Sequence, residues 1–589
     1  MKKKVSLLLA LGLFSVSALS GCGGGQSDQT EPQTIAAPTT EAATTAAEAE
    51  GNAESEAPAG DVAQEITFVL NNEPDGIDPT VTNNSFAVPF LMNCFEGLVT
   101  YDSNGEVVPG NAESWESNDD MTVYTFHLRE GLKWSDGSPL TAKDYVYSAL
   151  RVLTPATTSQ YVNMISDYVV NGQEFYDGTA SAEDVGIKAI DDNTLEFTLK
   201  DPCAYFIDLV SMWVYWPVQE ATVETNGDKW TNQADTYICN GPFKITQMNM
   251  GESMILEKNE NYWDAENVAL DGVDFVVNEN IDNNTWVSLY TDGSVMEANL
   301  SGTNVATYGS RPDAVAEGDP GVFYLEVNQG NGAATPVTKL LANAKARKAL
   351  NMAIDKSFIT DEVLANGSMV ADYLVPKNFA YGPEGTSVEG QDFRTTYEGF
   401  NTYNKEEAKK LWQEAMEETG VTGPVDLEIL IQSADSAIKM GSAIQNDVQE
   451  VLGEFGVTVT ISPVPFPEKL ARVSSGDYQL ALSGWSPDYA DPMTYLDMFV
   501  TGGGHNNIGY SNAKYDELVN SAKSGDLATD YEARWNALVE AEQILLGEDQ
   551  ALIPLYQKGV VNLRSPKLVN YWKQAVGPDY FYKWVDIQD

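Results

Sequence analysis

The clearest periodicity lies in the second half of the chain. Over 404–418, Ala408, Leu411, Trp412, Ala415 and Met416 recur at the spacing of one helix face. Asn404 supplies an N-cap and Gly420 a stop, so the pattern predicts a helix there. A strand is predicted over 425–431. A second helix is predicted over 436–455, with Met440, Ile444, Val448, Val451, Leu452 and Phe455 on one side. Residues 457–461 read as a strand, 467–474 as a helix and 478–483 as a strand. Strands alternating with helices predict a mostly parallel, doubly wound unit.

The first half has shorter periods and more β character. Residues 65–70 read as a strand, followed by a polar turn at Glu73-Pro74-Asp75-Gly76. The 86–98 segment is apolar enough for a buried helix, and 98–107 predicts a hairpin turning at Asp102-Ser103-Asn104-Gly105. A strand is predicted over 122–128. Thr141 and Asp144 form a capping-box pattern before a helix reaching Leu153. A second hairpin is predicted over 186–199 around Asp191-Asp192-Asn193, and 242–256 reads as β, turning near Gly251. No internal repeat is present.

The N-terminus follows a different pattern. Lys2, Lys3 and Lys4 precede an apolar run of 14 residues from Val5 to Ala18, then Leu19-Ser20-Gly21-Cys22. A run this short, with small residues at its exit, is a secretory signal peptide rather than a permanent span. The small-small-Cys ending resembles a bacterial lipobox, which implies a diacylglycerol on Cys22 and Cys22 as the mature N-terminus. Residues 23–64 are rich in Ala, Thr, Glu and Ser. They are expected to be a disordered acidic tether with a reach of roughly 35 Å.

Composition narrows the function class. The 589 residues carry a net charge of −53, which disfavours nucleic acid and anionic lipid as partners. Only two histidines are present, His127 and His505, and no Cys-x-x-Cys, P-loop, Gly-x-Ser-x-Gly or His-Glu-x-x-His occurs. No metal, cofactor or catalytic residue set is therefore expected. With Cys22 lipidated, Cys94, Cys203 and Cys239 remain. At most one internal disulfide is expected, joining Cys203 to Cys239 across loops with Cys94 as a core thiol; three free thiols are the alternative.

In an open α/β sheet, ligands bind beyond the carboxyl ends of strands. The segment leaving the 478–483 strand is Gly484-Trp485-Ser486-Pro487-Asp488-Tyr489. It places a glycine for close approach, two aromatics as walls and a carboxylate that can counter a cation.

The motifs Ala112-Glu113-Ser114-Trp115, Tyr124-Thr125-Phe126-His127-Leu128-Arg129, Lys133-Trp134-Ser135-Asp136-Gly137 and Thr141-Ala142-Lys143-Asp144 follow one another in order. Supporting matches are Phe95-Glu96-Gly97-Leu98, Lys188-Ala189-Ile190-Asp191-Asp192, Asn240-Gly241-Pro242-Phe243, Asn261-Tyr262-Trp263, and Gly484-Trp485 with Asp488-Tyr489. From about residue 65 to its end the chain resembles the oligopeptide/dipeptide-binding family of extracellular solute-binding proteins that serve ATP-binding-cassette importers. Trp134-Ser135-Asp136-Gly137 is a family marker and is expected to be a tight turn.

The resemblance implies an α/β, two-lobed periplasmic-binding-protein-like fold with an inserted subdomain and a strand hinge. Its domains would be signal peptide 1–21, tether 22–64, lobe IA 65–95, lobe IB 96–216, lobe IA again 217–320, lobe II 321–555 and lobe IA 556–589. Strands near 322–327 and 553–555 would form the hinge. The implied partners are an oligopeptide ligand and the permease and ATPase subunits of an importer, with the lipid as the only membrane contact and the chain a monomer. Asp488 matches an acid that pairs with a peptide's α-ammonium, flanked by Trp485, Ser486 and Tyr489. Asn83, Asn84 and Ser85 match a stretch that pairs along the peptide backbone. Asn240 and Gly241 match another such pair, and Tyr161 matches a tyrosine near the ligand.

The chain departs from the family where basic residues meet the peptide carboxylate in the enteric branch. Those positions read Asn351, Ile438 and Leu482, all uncharged. The carboxyl end of the ligand is therefore expected to be left in water, or to meet Lys345, Arg347 or Lys439 instead. Within the family an oligosaccharide, haem or nickel complex is an alternative solute, although the two histidines speak against nickel, and His505 in its glycine-rich run is expected in an exposed loop. In a different class, a carboxylate-dependent glycoside hydrolase is the alternative. Nothing singles out an acid pair among the 87 acidic residues.

Overall fold

The computed structural model describes residues 63–588, except 71–73, 75, 83, 85, 103–106, 250, 279–280, 331–334, 397–398 and 572–580. The expected signal peptide, Cys22 and the tether as far as residue 62 lie outside the described residues, as do Asn83 and Ser85.

Three sheets organise the chain. The first has the order Glu65–Leu70, Gly272–Val277, Ser253–Lys258, Phe243–Asn249. Its outer pair is parallel and the other pairings are antiparallel. The second is fully antiparallel: Ala112–Ser117, Val123–Leu128, Thr194–Thr198, Ile187–Ala189. Alternation in the 123–128 strand buries Tyr124, Phe126 and Leu128 on one face. Helix Ala142–Val152 begins with the expected capping box, in which the Thr141 backbone N–H donates to Asp144 Oδ2 at 2.8 Å. Trp134 to Gly137 is a tight turn, with the Gly137 N–H donating to the Trp134 carbonyl at 2.8 Å.

The third sheet has the order Glu297–Leu300, Leu552–Arg564, Ala314–Val327, Leu480–Trp485, Val425–Gln432, Val457–Val464. Only the Val425–Gln432 strand pairs in parallel, with its two neighbours. The three strands predicted between residues 425 and 485 are therefore parallel as expected, but the sheet they belong to is mixed: Ala314–Val327 and Leu552–Arg564 run antiparallel to each other, and the former also to Leu480–Trp485. These two crossing strands span 14 and 13 residues, roughly 45 Å of extended chain. Their ladder breaks between Gly318 and Val322, around Pro320, which has no N–H to donate. They contain the segments expected as the hinge.

The helices of this unit follow their sequence patterns closely. Lys405–Thr419 is capped by the Asn404 side chain, which accepts from the Glu407 N–H, and stops at Gly420 with φ 67°. Asp435–Leu452 packs Met440, Ile444, Val448 and Val451 into the core against the 425–432 and 457–464 strands. The chain end returns to the N-terminal part of the fold, where the Tyr582 ring stacks on Phe68 of the first sheet with centroids 5.5 Å apart. The Tyr582 N–H donates to Asn93 Oδ1 at 2.8 Å, and the Trp584 indole donates to the Tyr101 carbonyl at 3.0 Å. The architecture is α/β and two-lobed, with the 112–198 sheet separate from the other two and the two long strands crossing within the third.

Candidate functional site

Strand Leu480–Trp485 ends at a group of cavities that distant parts of the chain line together. Gly484 is required there: a Cβ at this position would lie 2.8 Å from the Phe323 ring on the neighbouring strand. Beyond it, three adjoining cavities of about 340, 330 and 960 Å³ share Trp485 and His505. The His505 ring meets the Trp485 ring edge-on, with centroids 5.1 Å apart. His505 is exposed, as expected of its loop, but it fronts the cleft.

Asp488 sits between the two smaller cavities. Its carboxylate accepts a hydrogen bond from the Tyr161 hydroxyl at 2.8 Å, and its backbone N–H donates to Thr494 Oγ1 at 3.1 Å. Tyr161 lies 327 residues away in sequence, so the bond ties together two distant parts of the chain at the cavity wall. No cationic side chain pairs with Asp488 among the described residues. Burial pushes its carboxyl up to about 6, opposed by the Tyr161 hydrogen bond and aided by the neighbouring Asp497 charge. Asp497 itself has a partner in Lys523 at 3.2 Å. The walls are aromatic. Tyr161 meets Trp213 edge-on at 5.8 Å, and Tyr489 stacks on Tyr205 at 5.4 Å and 9°. A carboxylate without a cation among the described residues, drawn out of bulk water and enclosed by aromatic rings, has the chemistry to accept a cationic group.

The structure brings together Asp488, Trp485, Ser486, Tyr489 and Tyr161, all of which line one or more of the cavities. Asn240 and Gly241 require correction. Asn240 is buried, with its side chain accepting from the Glu96 N–H at 3.2 Å and donating to the Glu96 carbonyl at 2.9 Å. The Gly241 N–H donates to the Cys94 carbonyl at 2.7 Å, and a Cβ there would lie 2.6 Å from the Cys94 backbone. Both residues fasten the 94–97 segment to the core and line none of the three cavities. Asn84 caps a turn by accepting from the Phe86 N–H at 2.8 Å, and its neighbours Phe86 and Val88 line the cleft in its place.

The cysteine expectation is also corrected. Cys94, Cys203 and Cys239 are all free and buried. The free Cys239 thiol neighbours that of Cys94 at hydrogen-bonding range and donates to the Phe243 carbonyl at 3.4 Å, and burial pushes the Cys203 thiol up to about 12. No cluster of metal-ligating side chains occurs among the described residues.

Of the three neutral positions at the expected carboxyl end, only Leu482 lines a cavity. Asn351 is buried in helix Ala344–Ala353, donating to the Asn401 carbonyl at 2.7 Å, and Ile438 packs against the same core as Met440 and Ile444. The substitute bases are engaged or distant as well. Arg347 is buried and donates to the carbonyls of Leu341, Asp549 and Gln550, and Lys345 pairs with Glu414 and Glu418 at 2.8 and 2.6 Å. Lys439 lines none of the cavities. The base that does face the largest cavity is Lys469, on helix Phe466–Ser475. Its signal was present in the sequence, because Phe466, Lys469, Leu470 and Val473 form an i, i+3, i+4, i+7 stripe with a lysine inside it.

Known proteins bear the same architecture. The model of the bacterial extracellular solute-binding proteins, family 5 (middle), matches residues 106–507. The oligopeptide-binding protein OppA of Bacillus subtilis is 30% identical over 504 residues, covering 83% of this chain and 87% of that protein. The structure of the substrate-binding domain of an oligopeptide ABC transporter from Bacillus anthracis aligns with a TM-score of 0.76 at 36% identity, over 90% of this chain and 99% of that one. Listeria monocytogenes OppA bound to peptide aligns with a TM-score of 0.75 at 34% identity, again over 90% and 99%. The chain belongs to the bacterial extracellular solute-binding proteins of family 5.

Proposed function

We propose that the protein is a lipid-anchored extracytoplasmic receptor that captures an oligopeptide between its lobes and delivers it to the permease of an ATP-binding-cassette importer, without turning it over. The observation that carries this reading is Asp488: a carboxylate with no cation among the described residues, hydrogen-bonded at the cavity wall by Tyr161. A peptide's α-ammonium fits it, and the aromatic walls suit the adjoining residues. Relatives named oligopeptide-binding proteins, one of them solved with peptide, support the same ligand class.

Cys22 would carry the diacylglycerol, and the 23–64 tether would let the receptor reach its permease while confined to the membrane face. The lobe boundaries 65–95, 96–216, 217–320, 321–555 and 556–589 belong to this reading. The crossing strands and the return of Tyr582 and Trp584 to the N-terminal part of the fold support it. Main-chain pairing beside the 82–88 segment would give tolerance of peptide sequence.

The experiment is mass spectrometry of ligand released on denaturing the purified protein, beside melting shifts with a peptide panel and an oligosaccharide panel. Co-purified peptides with free amino termini, stabilising on re-addition and recovered intact, are expected. Co-purified sugar, or peptide cleaved on incubation, would overturn the reading.

A further inference from the structure

The largest cavity holds a lysine that the amino-end anchor leaves unused. One face of helix Phe466–Ser475 fronts it, with Phe466, Lys469, Leu470 and Val473 at helical spacing. Phe466 and Leu470 are 51% and 49% exposed, so apolar surface lies open toward the cavity. Phe323 and Tyr556, stacked at 4.8 Å and 4°, form another wall, and Phe86, Met440 and Leu482 complete an apolar lining.

Lys469 is only 7% exposed. Its ammonium lies 5.7 Å from the Phe466 ring centroid. It makes no hydrogen bond and no ion pair among the described residues. The nearest acid in the same cavity is Glu326, which accepts from Tyr478 at 3.1 Å and is bonded by Ser483. Burial lowers the affinity of Lys469 for its proton, and the Glu326 charge, which stands beyond ion-pair distance, offsets only part of that. Burying an ammonium without a partner is unfavourable, and an apolar pocket would be better filled by leucine or methionine. A charge retained there, in a chain of net charge −53, is suited to an anionic group brought in from outside.

We propose that Lys469 binds a ligand carboxylate, so that the 960 Å³ cavity selects a residue with an apolar body and an acid beyond it. The carboxylate is either the peptide's own terminus or an Asp or Glu side chain. This rests on the oligopeptide reading, with the amino end at Asp488 and the chain passing Trp485, which lines both sites. The expectation of an unread carboxyl end came from three positions, two of which do not face the cleft.

The test is calorimetry on the full chain with matched peptides of three to seven residues. Each is made as free acid, as amide, and as amide with one Gln replaced by Glu; N-acetyl forms report the Asp488 anchor. At one or more lengths, the acid or the Glu peptide should bind wild type roughly tenfold to a hundredfold more tightly than its neutral match. A gain by the free acid assigns the terminus, and a gain by the Glu amide assigns a side chain. Lys469→Met keeps the stem and should abolish the preference, whereas Lys469→Arg should keep it. If wild type shows no preference at any length, or Lys469→Met retains one, the proposal is overturned. If N-acetylation weakens binding while that happens, the amino-end reading stands alone; if no peptide binds at all, both fall.

Discussion

Lowering the pH should release the ligand through Asp488, and the structure sets the range. Burial raises the Asp488 carboxyl to about 6, so the protein binds a proton there before an ordinary aspartate would. Only the carboxylate attracts an ammonium. Affinity should therefore be near its plateau at pH 7 and fall as pH drops through about 6. At pH 5 about one molecule in eleven keeps the carboxylate, which is a loss of about tenfold, or ~1.4 kcal/mol. Above pH 8 a second decline is expected as the peptide's own amine deprotonates near its usual value of about 7.7–8.0.

Folding stability should move the other way. A carboxyl raised in the folded state contributes stability below its unfolded value, and that contribution is lost as pH rises through about 6. Asp488→Asn should thus weaken peptide binding yet raise the stability of the ligand-free protein at pH 7, by at most about 3 kcal/mol. The assay is calorimetry from pH 5 to 8.5 in buffers of different ionisation enthalpy, with denaturant melts alongside. His505, Asp497 and Lys523 border the same cavity, so His505→Gln is measured in parallel. Flat or rising affinity on acidification, or an equal pH slope in Asp488→Asn, would refute the reasoning.

Tyr161→Phe removes the hydrogen bond that holds the Asp488 carboxyl down, so the acid limb of the binding profile should shift to higher pH; an unshifted limb means the bond is absent in solution. Asp491 and Arg534 form a buried two-bond pair at 2.7 and 2.8 Å, and Asp491→Asn should destabilise the fold by about 3–5 kcal/mol in a urea melt; under about 1 kcal/mol would contradict this. Thiol titration of the unfolded, unreduced protein should find Cys94, Cys203 and Cys239 all reactive, whereas a single reactive thiol would restore a disulfide.

What the sequence shows of this molecule depends on how local the cause is. The 405–419 helix was legible because its stripe, its Asn404 cap and its Gly420 stop all lie within one stretch. The Asp488 pocket was legible because a strand-end position and a family motif coincide there. The parallel direction of the strands between 425 and 485 was legible as well, but the antiparallel strands that extend their sheet were not, because pairing of 314–327 with 552–564 depends on contacts more than 200 residues apart. Asn240 looked like a binding residue, but its amide is matched by the Glu96 backbone, which no spacing reveals. The failure at Asn351 has the same origin: an aligned position on a helix does not say which face meets the cleft. Lys469 was recoverable, since a lysine inside an apolar helical stripe is a buried charge in need of a reason.

The central claim is that Asp488 holds a peptide's free amino terminus, and a two-by-two calorimetric cycle tests it most directly. One axis is wild type against Asp488→Asn, and the other is a free-amine peptide against its N-acetyl form. Removing one partner of a desolvated charge pair costs about 3–5 kcal/mol, so N-acetylation should weaken wild-type binding by roughly two to three orders of magnitude. In Asp488→Asn the same acetylation should cost under about tenfold. Equal binding of the two peptides by wild type, or an equal loss in both proteins, would contradict the account.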